Sequence, residues 1–113
     1  VVDACRLSRA RVEIAPHCDA AAVDRLLASR TEERALVLTD SVFSADGDLA
    51  PLAELHRVTR ANGAVLVVDE AHGLGVRGRG GRGLVQEAGL AGEPDLVITA
   101  TLSKALAAQG GAV

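Results

Sequence analysis

The sequence is almost without aromatic side chains: Phe43 is the only Phe, Tyr or Trp, and there is no Met. A core must therefore be built from Ala, Val, Leu and Ile, the composition of buried parallel strands and the helices that cover them. Lysine is as scarce, because Lys104 is the only one and every other basic residue is an arginine. No basic excess exists either. A net charge of -3 argues against a nucleic-acid partner or an anionic membrane surface. The two cysteines, Cys5 and Cys18, form neither a Cys-x-x-Cys motif nor a zinc ligand set, and they read as small reduced hydrophobes. No apolar run approaches the roughly 20 residues of a membrane span. No secretory signal opens the chain, so a cytoplasmic protein is expected. An initiator Met is also lacking, and the last residues are the apolar Gly110-Gly111-Ala112-Val113. The expectation is a segment of something longer.

What is present alternates in an orderly way. Arg11 to Ala15 reads as a short strand. Asp19 is a candidate N-cap for a helix through Arg30, with Ala22, Val23, Leu26 and Leu27 on one face. Ala35 to Thr39 is a compact apolar run, hence a buried strand. Pro51 sits near the first position of a helix to Asn62 that turns Leu52, Leu55 and Val58 inward and stops at Gly63. Ala64 to Val68 is the clearest buried strand. A Gly/Arg loop spans Gly73 to Gly83, a short helix follows at Leu84 to Ala88, and Leu96 to Thr99 is the third main strand. A βαβαβ series of this kind favours a parallel sheet with right-handed crossovers in one structural unit.

Open α/β sheets bind ligands beyond the carboxyl ends of their strands. Here the first strand runs into Thr39 to Asp48, the second into Asp69-Glu70-Ala71-His72-Gly73, and the third into Thr99-Ala100-Thr101-Leu102-Ser103-Lys104. A carboxylate, an imidazole, hydroxyls and an amine thus converge on one rim if the sheet is parallel. Taken singly, each has a plain alternative. Asp69 would serve as a cap or metal ligand, His72 as a satisfied loop histidine, Thr101 and Ser44 as turn formers, and Lys104 as a solvated surface lysine. Asp69-Glu70-Ala71-His72 also has the form of a DEAH-type ATPase segment. Against that stands the absence of a G-x-x-x-x-G-K-[ST] phosphate loop.

Several motifs belong together. Val42-Phe43-Ser44-Ala45-Asp46-Gly47-Asp48 followed by Pro51-Leu52, Asp69 to Gly75 with Gly81-Arg82-Gly83, and Thr101-Leu102-Ser103-Lys104 with Gly110-Gly111 resemble segments of the α-oxoamine synthases. Arg6-Leu7-Ser8 and His17-Cys18-Asp19 are similar to two more. The resemblance covers nearly the whole chain. It implies an α/β/α sandwich with a mostly parallel sheet, with residues 1–113 as the central part of the large domain of a fold-type I pyridoxal-phosphate (PLP) transferase. The loop that cradles the phosphate and the small C-terminal domain would lie outside. The implied reaction condenses an amino acid with an acyl-CoA, releasing CO₂ and CoA. The His72-Gly73 and Gly-Arg-Gly phrasing is most similar to the branch that joins L-alanine to a pimeloyl thioester in biotin synthesis. The glycine C-acetyltransferase type is the alternative within the family, and a non-catalytic fragment the alternative outside it.

By the same resemblance, Lys104 forms the Schiff base with PLP and later acts as a base. Asp69 pairs with the pyridine nitrogen, His72 contacts the phenolic oxygen, Thr101 binds the phosphate and Ser44 lines the cofactor site. A cytoplasmic homodimer is implied, with no metal, no nucleic acid and no membrane. Glu70, next to Asp69, should point elsewhere. Arg77, Arg79 and Arg82 read as a solvated or inter-subunit loop. His17 and His56 have no partner identifiable from sequence. Ala107 stands where many relatives have glycine, so the turn after the lysine is expected to be tighter or shifted.

Overall fold

The computed structural model describes residues 2–113. Its helices are α1 (Val2–Leu7), α2 (Ala20–Ala28), α3 (Leu52–Ala61) and α4 (Leu84–Glu87); its strands are β1 (Leu36–Asp40), β2 (Val65–Asp69), β3 (Leu96–Thr101) and β4 (Gly111–Ala112). The strands lie in the order β1-β2-β3-β4, the first three parallel and β4 antiparallel to β3. The expected α/β class and mostly parallel sheet are therefore observed.

Local chemistry explains the boundaries. Asp19 caps α2, its Oδ1 accepting from the Ala22 amide at 2.8 Å, and Ala22, Val23 and Leu27 form the buried stripe. Pro51 is the N-cap of α3 rather than its first residue, and the helix buries Leu52, Leu55 and Val58. At its far end Asn62 Nδ2 donates to Asp24 Oδ1 on α2 at 2.7 Å, and Arg30 Nη2 donates to the Asn62 carbonyl at 2.7 Å. These bonds join the two helices where the chain turns, at Gly63, toward β2.

The alternation of side chains along each strand divides the sheet. Val37, Leu66, Val68, Leu96 and Ile98 face a core shared with Val23 and Leu27 of α2, with Leu52, Leu55 and Val58 of α3, and with Leu84 and Val85 of α4. The other face is open. Leu36 is 64% exposed and Leu38 43% exposed, while Val65 and Val67 beside them in the ladder are half-buried. The described residues thus contribute the sheet and one helical layer, although parallel sheets are ordinarily covered on both faces.

Three sequence expectations need correction or addition. Arg11 to Ala15 is not a strand. Among the described residues no strand pairs with it, and the Arg11 guanidinium instead binds Glu13 at 2.8 Å and Glu32 at 3.4 Å. α1 was not foreseen, and none of its residues is buried. Nor was β4, whose two residues are ordered by pairing Ala112 with Ala100 and Gly111 with Thr101.

The amino-terminal end of β3 carries a polar clamp. His56, buried on α3, bonds through Nε2 to Asp95 Oδ1 at 2.9 Å, and Arg60 on the same helix reaches Glu93 at 2.7 Å and Asp95 at 3.8 Å. The bond from His56 holds the Asp95 carboxyl below the usual carboxylate range. A depressed folded-state pKa means that the unfolded chain takes up more protons as pH falls. This contribution to stability is complete above the unfolded-state value of about 4 and disappears as pH drops through the folded-state value. Urea midpoints measured from pH 6 downward should fall below about pH 4, and Asp95→Asn should flatten that fall while lowering the midpoint at pH 6.

Candidate functional site

Because β1, β2 and β3 are parallel, their carboxyl ends lie side by side. Asp40 stands opposite Asp69, and Asp69 opposite Thr99, so the three form one row across the sheet. That row falls on the same face as Leu36, Leu38 and Val67, the open one. Asp69 Oδ1 accepts from the Ala71 amide at 2.9 Å, which turns the chain sharply after β2. The turn is closed by the Gly73 and Leu74 amides on the Glu70 carbonyl at 3.1 and 2.9 Å.

The turn presents His72 to the loop that follows β3. There Lys104 Nζ lies 2.8 Å from His72 Nε2. An ammonium has only donors, so in this contact Lys104 donates and Nε2 accepts. Lys104 is exposed and His72 half-buried, leaving the amine open to a ligand from the solvent side. Two features let the loops meet. At Gly75 a Cβ would stand 2.4 Å from the Ala105 Cβ, so only a glycine allows the approach. The lysine itself sits in a tight turn, with the Ala107 amide on the Lys104 carbonyl at 3.0 Å and the Ala108 amide on the Leu102 carbonyl at 2.8 Å. Ala107 closes that turn at φ 48°, in the left-handed region, which accounts physically for the glycine of the similar motifs.

Thr101 Oγ1 is 2.8 Å from Ser103 Oγ and accepts from the Ser103 amide at 3.3 Å, a hydroxyl pair at the start of the lysine turn. Ser44 is exposed, in a turn bounded by the Val42–Leu49 bridge, and forms no side-chain hydrogen bond among the described residues. The structure therefore brings His72 and Lys104 into contact and sets Thr101 at the start of the same lysine turn. Asp69 lies on the same rim through β2, and Ser44 stays within its own turn. Glu70 points away from Asp69 into the interior, as alternation requires, and is 2% exposed. Arg77 is held by Glu87, whereas Arg79 and Arg82 are exposed and unpaired among the described residues.

A second cluster escaped sequence reasoning. His17 Nε2 bonds Asp48 Oδ2 at 2.5 Å, with Cys18 Sγ 3.4 Å from the same nitrogen and the imidazole edge-on to Phe43 at 4.4 Å between centroids. His17 holds the Asp48 carboxyl low, while burial and then the Asp48 charge push the Cys18 thiol up. Carboxylate and thiol meet one and the same ring nitrogen, so no relay runs through the ring, and a thiol held protonated is a poor nucleophile. The cluster fastens the Ser44 turn to the segment before α2.

An amine able to condense with a carbonyl, a carboxylate able to face a cationic ring nitrogen, an imidazole and a hydroxyl pair for an anion form a donor set that fits PLP. The profile of the aminotransferase class I and II family matches residues 1–113. The chain belongs to that family.

Among curated relatives, this aminotransferase-family chain is 71% identical over 113 residues to the 8-amino-7-oxononanoate synthase of Mycolicibacterium smegmatis. It spans 30% of that relative's length. Among solved structures it is similar to an 8-amino-7-oxononanoate synthase from Francisella tularensis, with TM-score 0.77, 27% identity, and coverage of 97% of this chain and 31% of the other. It is also similar to a serine palmitoyltransferase from S. paucimobilis solved with a bound PLP–myriocin aldimine, with TM-score 0.78, 34% identity, and coverage of 86% and 24%. PLP, the cofactor that the resemblance implied, is thus the cofactor of a structural relative. The DEAH-like run from Asp69 to His72 belongs to an aminotransferase-family chain rather than to an ATPase. No helix among the described residues is long and apolar enough to cross a membrane.

The left-handed Ala107 leads to a direct expectation. Ala107→Gly should stabilise the protein by about 1 kcal/mol, and Ala107→Val should destabilise it, as read from urea denaturation midpoints.

Proposed function

We propose that this chain is the central part of the large domain of a PLP-dependent acyltransferase that joins L-alanine to pimeloyl-CoA, with release of CO₂ and CoA, in biotin synthesis. The whole enzyme, on this proposal, is a cytoplasmic homodimer. The observation that carries it is the 2.8 Å contact of Lys104 with His72 at the carboxyl end of a parallel sheet, on the rim that also holds Asp69 and Thr101. The identity to 8-amino-7-oxononanoate synthases supports the choice of substrates.

When bound, PLP would supply an electron sink for the amino acid's α-carbon. Lys104 would hold it through Nζ and, once released, take the proton from that carbon. The Asp69 carboxylate would face the pyridine nitrogen and favour its protonated form. His72, now bonded to Lys104, would turn its imidazole to the phenolic oxygen. The Thr101 hydroxyl would contact the phosphate, and Ser44 would line the same site.

The full-length protein tests this. Incubated with PLP and reduced with borohydride, the wild type should carry a covalent adduct that peptide mass spectrometry places on Lys104. Lys104→Ala should carry none, and should lose at least about 10²-fold in formation of the amino-ketone. An adduct persisting in Lys104→Ala would sink the assignment.

The open sheet face supports a second statement, about the 113 residues alone. With Leu36 and Leu38 uncovered, they should be non-catalytic and self-associate. Sedimentation of the isolated chain should show oligomers that Leu36→Lys with Leu38→Lys reduces. A monodisperse monomer would count against the central-part assignment.

A further inference from the structure

Glu70 is out of place by the usual economics of a protein core. Its carboxylate is 2% exposed and has no cationic partner among the described residues. Such burial is unfavourable unless both oxygens are satisfied, and an apolar side chain of similar volume is commonly as good for stability. Both oxygens are in fact bonded. Oε2 accepts from the fully buried Ser41 hydroxyl at 2.7 Å, beyond the end of β1, and Oε1 accepts from the Val85 amide of α4 at 2.6 Å. The Glu70 amide donates to the Thr99 carbonyl of β3 at 2.8 Å. One residue thus ties together the rims of three strands and the helix that closes the Gly/Arg loop.

The surroundings are shaped to this carboxylate. At Gly73 a Cβ would lie 1.9 Å from Oε2, and at Gly83 it would lie 2.7 Å from Oε1. Both glycines leave the space that the side chain occupies, and Gly83, at φ 96°, also needs a conformation foreign to other residues. Two residues past Glu70, in the turn its carbonyl closes, is His72. Seen from Lys104, the imidazole stands on a turn whose underside is anchored by the Glu70 carboxylate and whose open side is held by Asp69.

We propose that Glu70 is a positioning residue, which fixes the turn from which His72 meets Lys104; this rests on the functional reading of that pair given above. Its role is to hold a geometry rather than to touch substrate or cofactor. Substitution should therefore disturb the site in proportion to the hydrogen bonds lost. Glu70→Gln has the same shape and can keep both bonds, the amide oxygen accepting from Val85 and the amide nitrogen donating to a reversed Ser41 hydroxyl. Glu70→Ala leaves both partners buried and unbonded.

The test uses the full-length protein loaded with PLP, with two readouts: steady-state kinetics, and the circular dichroism of the cofactor's visible band per cofactor bound, which reports its orientation. Glu70→Gln should stay within about threefold of wild-type kcat, whereas Glu70→Ala should lose up to about 100-fold, mainly in kcat rather than KM, with a weakened visible dichroism. Ser41→Ala, which removes a single bond, should shift both readouts in the same direction by less, and it decides the matter if Glu70→Ala does not fold. Wild-type kcat and dichroism in Ser41→Ala and in folded Glu70→Ala would overturn the proposal, as would a Glu70→Gln protein as impaired as Glu70→Ala. Failure of the underlying site reading is seen separately, as a wild type that binds no PLP on Lys104.

Discussion

Everything at the rim depends on the period-two alternation at the end of β2. Asp69 and Glu70 are adjacent carboxylates, and the pleat sends them to opposite faces of one sheet. Asp69 is left on the open side beside Thr99, and Glu70 is driven under the turn to Ser41 and Val85. A shift of a single residue in register would exchange them, placing Glu70 on the open rim and Asp69 in the core. The buried ladder of Leu66 and Val68 against the helices, with both residues fully buried, forbids that shift. Core packing and site chemistry are thus set by one strand.

Convergence at the rim then follows from parallel pairing, and close approach from small residues. Strand ends bring the loops near one another, but a 2.8 Å contact between Lys104 and His72 needs more. It needs Gly75 where Ala105 comes against it, and a left-handed residue at position 107 to bring the chain back toward β4. β4 is short, yet its pairing with Thr101 and Ala100 prevents the lysine turn from being a free loop. The lysine is accessible because its side chain is exposed, while its backbone is tied down.

Much of this was legible in the sequence, for a physical reason. Strands β1 to β3 and helices α2 and α3 are written in runs and periodicities of apolar residues, and Asp19 and Gly63 mark their limits with local hydrogen bonds and backbone freedom. The gathering of Asp69, His72, Thr101 and Lys104 at one rim was legible because motifs at strand ends are contiguous. What escaped was non-local or marginal. The pairings of His56 with Asp95 and of His17 with Asp48 join residues 39 and 31 positions apart, with no periodic trace. Arg11 to Ala15 has the composition of a strand but, among the described residues, no strand to pair with. α1 buries nothing, so no amphipathic pattern announces it. β4 is two residues long and exists only through its partner.

The polar side chains also sort themselves along the sheet axis, and this separates stability from chemistry. The buried core is aliphatic, with Phe43 packed only against its margin, and directed bonds add to the apolar packing that holds the helices on the sheet. The clamp of His56 and Arg60 on Glu93 and Asp95 holds α3 at the amino-terminal end of β3. The Asn62 and Arg30 bonds join α3 to α2 near the start of β2. None of these reaches the opposite rim, where Lys104, His72, Asp69 and Thr101 lie. The sheet permits this division because the parallel strands β1, β2 and β3 enter from the same side and leave at the other. Among the described residues, Glu70 is the buried, bonded carboxylate at the exit end, apart from the clamps that hold the helices.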